Sequence, residues 1–210
     1  MKVLLVNTSP HKNGTTDAAL REAAAALESC GVETEIYWAG QKQANCCIAC
    51  QQCKKQRVDR CVAFPGDACN VILEKMSSCD GLIVGSPVHY AGLCGTANAL
   101  FDRIAYAGGK TLRFKPAAGV AVCRRAGTTS ALDQFNKYFT YCNMPVVSSL
   151  YWNGVFGNTA EQAQQDEEGM QIMRQLGRNM AWLLACIDAG KQAGVPAPEM
   201  EKGKFTNFIR

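Results

Sequence analysis

Two periods of apolar residues alternate along this chain. Val3–Val6 is a short unbroken apolar run, the pattern of a strand buried on both faces. From Asp17 to Ser29, Leu20, Ala23, Ala24 and Leu27 recur at helical spacing. Val32–Trp38 alternates as a second strand, Val71–Ser78 predicts a short helix, and Gly81–Ser86 predicts a third, fully buried strand. Ala97, Leu100, Phe101 and Ile104 form another helical stripe, and Ala117–Val122 reads as a fourth strand. Leu132, Phe135 and Phe139 mark the next helix, and Met144–Leu150 the fifth strand. The last helix is expected to start at Thr159, where Thr-Ala-Glu-Gln is a capping box, and to run to about Ala189 with a bend at Gly169. Strand followed by helix, five times over, predicts an α/β fold: a doubly wound, five-stranded parallel sheet in a three-layer α/β/α sandwich. Residues 40–68 fit no regular element and hold the densest run of cysteines.

Composition narrows the classes. The chain has 210 residues, 48% hydrophobic and 19% charged, which is ordinary globular material. It reads as one domain over 1–190 with a cysteine-rich insert at about 40–68, and a C-terminal arm over 191–210 whose apolar end is expected to dock. A net charge of +4 without a block of like charges argues against a nucleic-acid partner. No run approaches the length of a membrane span, and Val3–Val6 is too short for the core of a signal peptide. The expected location is cytoplasmic, so the 12 cysteines are thiols, metal ligands or redox groups before they are disulfides.

The loop after the first strand, Asn7–Thr16, reads NTSPHKNGTT. In an open parallel sheet such a loop faces the crevice at the carboxyl ends of the strands, and the next helix presents free N–H groups there. Ser9, Thr15 and Thr16 add hydroxyls, Gly14 permits close backbone approach, and His11 can donate to a phosphate. Without a ligand, Thr15 or Thr16 would simply cap the helix. The chain contains neither G-x-G-x-x-G nor G-x-x-x-x-G-K-[ST], which disfavours a dinucleotide fold and a P-loop and points to a phosphate monoester. A second loop lies within Gly85–Arg103, where Pro87, Val88, His89 and Tyr90 can flank a flat ring and Gly92 allows close approach. A third, Cys123–Thr129, offers Cys123, Arg124, Arg125 and Gly127 as another wall, its arginines facing either a ligand or solvent. One loop for phosphate and two for a planar group describe a site for flavin mononucleotide (FMN).

The cysteines are spaced Cys47-x2-Cys50-x2-Cys53-x7-Cys61, with Cys46 extra. Three close thiolates and a fourth further along suit an iron–sulfur cluster. Bare thiols and a tetrahedral zinc ion are the alternatives. Cys69, Cys79, Cys94, Cys123, Cys142 and Cys186 are expected to be small buried apolar residues. Asp102–Arg103 reads as a structural ion pair, and Tyr151–Trp152 as core or interface packing. No catalytic residue is assigned, and no serine stands in a G-x-S-x-G elbow.

The pattern NTSPHKNGTT followed by GSPVHYAGLCGTANALFDR resembles the flavodoxin-like NADPH-dependent FMN reductase family over most of the chain up to about Leu150. Where that family usually has Gly, Arg and Asn in the first loop, this chain has Thr8, His11 and Thr15, and His89 stands where a Tyr is usual. The cysteine spacing is similar to the iron–sulfur flavoprotein branch. By that resemblance Cys47, Cys50, Cys53 and Cys61 would hold a 4Fe–4S cluster beside FMN. The resemblance implies an oxidoreductase passing electrons from NAD(P)H to a small acceptor such as a quinone or flavin, assembled as a homodimer or homotetramer. An electron carrier fed by ferredoxin is the first alternative, and a cysteine-based zinc or redox-sensing module the second.

Overall fold

The structure is a computed structural model that describes residues 1–41, 44–201, 203, 204 and 206. The expected docking of the apolar C-terminal end rests on 205 and 207–210 and lies outside the described residues.

Strand β1 (Lys2–Asn7) leads to helix α1 (Thr15–Ser29) and strand β2 (Glu33–Trp38). Among the described residues of the following segment, the four-residue helix α2 (Gln52–Lys55) is the one regular element before α3 (Ala68–Ser77). Strand β3 (Gly81–His89) turns back through β4 (Gly92–Leu93) into α4 (Gly95–Ala107) and α5 (Gly109–Leu112). Then come β5 (Ala117–Cys123), α6 (Thr128–Tyr141), β6 (Gly154–Phe156), α7 (Ala160–Gln165) and α8 (Glu167–Gln192). The sheet has six strands. Five run parallel in the order β2-β1-β3-β5-β6, and the short β4 pairs antiparallel with β3.

Residue alternation builds the layers. In β1, Leu4 and Val6 face the core shared with α3, α4 and α6, while Val3 and Leu5 face the core shared with α1 and α8. Both faces are dry, so β1 reads as an uninterrupted apolar run. In β5, Gly119 makes room for an aromatic: a Cβ there would stand 2.6 Å from the ring of Phe135. Phe135 in turn stacks on Phe139 and meets Phe101 edge-on, each at 5.8 Å between centroids.

The fifth parallel strand lies further along than the pattern predicts. Within Met144–Leu150 only Val146 bridges, to Ala117, and the strand proper is Gly154–Phe156 beside Ala121–Cys123. Pro145 has no N–H to give, and the chain bulges between the two pairings, exposing Leu150, Tyr151 and Trp152. The side chain of Asn153 fills the gap by donating to the Gly119 carbonyl at 3.0 Å. The expected bend at Gly169 is a break at Asp166. Its carboxylate accepts from Gly169 N at 3.0 Å, capping α8, and from Phe156 N at 2.7 Å. At Thr159 the capping hydroxyl accepts from Gln162 N at 3.3 Å, as the sequence predicts.

The β3–β4 hairpin turns on Tyr90 and Ala91, whose φ angles are 51° and 59°. Positive φ at both positions marks a type I′ turn, and neither residue is the Asn or Gly that adopts it readily. Ala91→Gly is therefore expected to stabilise the protein by about 1 kcal/mol, read as a rise in the urea midpoint with the slope unchanged.

Candidate functional site: a phosphate-facing crevice and a cysteine cavity

The strand order reverses between β1 and β3, so the loops after β1, β3, β5 and β6 open onto one crevice at their carboxyl ends. The first loop is held from below. Thr8 is fully buried and its hydroxyl donates to the Gly85 carbonyl at 2.8 Å. Asn7 Oδ1 accepts from Ser9 N at 2.9 Å, Ser9 Oγ accepts from His11 N at 3.1 Å, and Trp38 Nε1 donates to the Ser9 carbonyl at 2.8 Å.

Helix α1 starts on this loop with Gly14 at its N-cap, and no side chain accepts from its first turn. The capping role open to Thr15 or Thr16 is thus not taken. Helices α4 and α6 also begin without a side-chain cap, whereas α3 and α8 are capped by Asp67 and Asp166. A Cβ at Gly14 would meet His11 Cβ at 3.1 Å, so glycine keeps the loop close to the helix end. Unpaired donors at a helix N-terminus are the chemistry of an anion site.

A cavity of about 570 Å³ covers this helix end. Ten of the predicted residues line it: Ser9, His11, Gly14, Thr15, Thr16, Pro87, Val88, His89, Cys123 and Arg124. Four do not. Tyr90 stands out into solvent at the hairpin tip, Gly92 pairs with His89, and Arg125 is exposed. Gly127 takes φ 96° at the start of α6, where a Cβ would stand 2.8 Å from Ala91 Cα, and so packs the third loop onto the second. The sequence reading missed Asn13, Val122 and the whole fourth wall, Gly157–Glu161. Placing the last strand at Met144–Leu150 hid that wall. With the strand at Gly154–Phe156, the Gly-Asn-Thr after it becomes a crevice loop. Glu161 stays ionised there, its carboxyl held below the usual range by its own backbone N–H and by the Thr159 hydroxyl. The cavity therefore carries the Glu161 carboxylate on the α7 side and the Arg124 guanidinium after β5.

The four predicted ligand cysteines come together. Cys47, Cys50, Cys53 and Cys61 all line one small cavity, with Ile48, Val62, Ala63, Phe64 and Tyr106 as apolar walls. All four are free thiols. Ala49 and Gln51, on either side of Cys50, have φ of 53° and 58°. Left-handed residues curl the backbone so that its N–H groups turn to one side, a conformation recurrent at iron–sulfur sites. Strain of this kind gathers where function needs it. Cys61 is clamped by Asn70, whose Oδ1 accepts from Cys61 N at 2.7 Å and whose Nδ2 donates to the Cys61 carbonyl at 2.9 Å. Arg103, absent from the sequence reading of this site, lines the same cavity. Its ion-pair partner is Asp67, not Asp102, which accepts instead from the Tyr138 hydroxyl at 2.7 Å.

A zinc ion needs its sulfurs within about 2.3 Å of one point. Among the described residues no three His, Cys, Asp or Glu side chains converge to hold a single metal ion.

Of the remaining thiols, Cys69, Cys79, Cys94, Cys123 and Cys142 are buried, but Cys186 is exposed on α8, as are Cys30 and Cys46. Burial pushes the Cys69 thiol up to about 12 and Cys142 up to about 11. At pH 8 only about 10⁻⁴ of Cys69 would be thiolate. Iodoacetamide on the native apoprotein is expected to label the exposed Cys30, Cys46, Cys47 and Cys186 and to spare Cys69 and Cys142, as read by peptide mass.

The sheet order and the helices on both faces define a flavodoxin-like α/β protein. Residues 1–159 match the model of the NADPH-dependent FMN reductase family, and the chain belongs to that family. It is 32% identical over 195 residues to an iron-sulfur flavoprotein of Methanocaldococcus jannaschii, covering 89% of this chain and 99% of that one. To an iron-sulfur flavoprotein of Methanosarcina thermophila it is 27% identical, covering 91% and 99%. Among solved structures, an archaeal flavodoxin superposes with a TM-score of 0.59 at 14% identity, over 88% of this chain and 99% of that one. A flavone reductase superposes at 0.68 and 19% identity, over 90% and 64%. Among the described residues no helix is long and apolar enough to cross a membrane.

Proposed function

We propose that this chain is an FMN-dependent oxidoreductase with a 4Fe–4S cluster, taking electrons from NAD(P)H and passing them to a small acceptor such as a quinone or a flavin. The observation that carries the reading is the pair of sites on one chain: an uncapped helix end in a crevice, and four cysteines around one cavity. The family match and the relatives' names support it. FMN supplies hydride acceptance and electron release in single steps, and a cluster supplies single-electron transfer. The first turn of α1 with Ser9, Thr15 and Thr16 would bind the phosphate, His11 would donate a hydrogen bond to it, and Arg124 would add positive charge. Pro87, Val88 and His89 would place the ring. Cys47, Cys50, Cys53 and Cys61 would hold the cluster. The exposed Val146, Leu150, Tyr151 and Trp152 support assembly as a homodimer or homotetramer.

A second donor has its own support. Cys47 lies at the surface beside Ile48, which is 59% exposed, and Lys54, Lys55, Arg57 and Arg60 are exposed in the same segment of chain. A basic segment that carries a surface redox site suits an acidic protein donor such as ferredoxin. Anaerobic mixing of the holoprotein with NADPH, NADH or reduced ferredoxin separates the two readings. Bleaching of the flavin band by a nicotinamide nucleotide supports the first. Bleaching by ferredoxin alone replaces it with an electron carrier.

A further inference from the structure

Arg103 stands on α4 with only 2% of its side chain surface exposed. Its guanidinium is divided. One terminal nitrogen, Nη1, donates to the sulfur of Cys61 at 3.5 Å, and the other, Nη2, pairs with the carboxylate of Asp67. The ring of Phe64 lies 5.3 Å from the guanidinium carbon, and Nε is buried without a partner. An arginine placed only to pair with Asp67 would meet it with two nitrogens, the bidentate geometry that carboxylates favour. This one turns half of its donors to a thiol. Arginine does not lose its proton in proteins, so the charge is permanent.

We propose that Arg103 tunes the cysteine site: its charge, fixed against the Cys61 sulfur, raises the reduction potential of a 4Fe–4S cluster bound there, and Asp67 limits how much of that charge is felt. The inference rests on the cluster reading above. Reduction adds one electron, hence one negative charge, to the cluster. A fixed cation in an apolar pocket favours the more negative state, and an N–H donated to a ligand sulfur does the same. Asp67 opposes this through its own charge, while its Oδ1 caps α3 by accepting from Cys69 N at 3.1 Å. Arg103 would therefore be a positioning and charge-setting residue that acts through Cys61.

The test is an EPR-monitored redox titration of anaerobically reconstituted holoprotein, with iron assayed on each sample. Arg103→Gln is expected to lower the equilibrium constant for one-electron reduction at least tenfold, about 59 mV in midpoint. Asp67→Asn keeps a capping side chain, frees the guanidinium from its counter-charge, and is expected to shift the midpoint the other way. A purely structural pair would lose cluster in both variants without opposed shifts. Unmoved midpoints, or shifts in the same direction, would overturn the proposal. If Arg103→Gln holds no cluster, Asp67→Asn decides alone: an upward shift supports the proposal and any other result overturns it. Wild-type protein that binds no iron would overturn the cluster reading and this inference together. Iron bound with unmoved midpoints would overturn this inference alone.

Discussion

Cys53→Ser and Cys61→Ser proteins, reconstituted without oxygen, are expected to retain less than about one iron per chain where the parent holds about four. Both residues are 9% exposed and line the same cavity, Cys53 from α2 and Cys61 from the Asn70 clamp. A serine hydroxyl in either place is a poor ligand for iron that expects a thiolate. Bound FMN should be unchanged, because none of these cysteines lines the crevice. Cys46→Ser is the control. Cys46 is exposed and does not line the cavity, so that variant should keep its iron. Loss of iron from Cys46→Ser but not from Cys61→Ser would mean that the fourth ligand has been misassigned.

Gly40→Ala is expected to weaken FMN binding about 100-fold, although residue 40 contributes no atom to the crevice. A Cβ on Gly40 would fall 1.8 Å from the Ser9 carbonyl oxygen and 2.5 Å from its carbon. Backbone cannot yield as a flexible side chain can, so the first loop must move by more than an ångström. That carbonyl also accepts from Trp38 Nε1, and the Ser9 hydroxyl accepts from His11 N. The displacement therefore breaks the anchors that set the phosphate loop. Misplacement of about 1 Å costs on the order of 10²-fold where geometry is preorganised, and the crowding itself should cost about 1–3 kcal/mol of stability. Fluorescence titration with FMN and urea unfolding measure the two effects. Unchanged affinity in a destabilised protein would show that the loop after β1 does not hold the phosphate.

The chain announced its fold wherever burial set the pattern. Runs such as Val3–Val6 and Ala117–Val122 are apolar because both faces of the sheet are covered, and the helical stripes follow from packing on one side. It failed at the sheet edge. Met144–Leu150 has the residues of a strand, but Pro145 and the bulge that follows leave one bridge, and side-chain bonding by Asn153 replaces the ladder. That error concealed the loop at Gly157–Glu161. The candidate site was legible where glycine, hydroxyl and cysteine spacing carry the chemistry. Arg103 was not, because nothing in the order of residues shows that an α4 arginine reaches across to Asp67 and Cys61, 36 and 42 positions earlier. Nor does sequence reveal that Tyr90 stands clear of the crevice, since the left-handed turn that throws it outward uses residues that rarely adopt it.

The measurement that tests the central claim most directly is the visible absorption spectrum of protein purified without oxygen, with iron and sulfide assayed on the same sample. The account predicts flavin bands over a broad brown shoulder, with about four irons and four sulfides per chain. A colourless protein that takes up no added FMN would contradict it, and the uncapped end of α1 would then need another ligand.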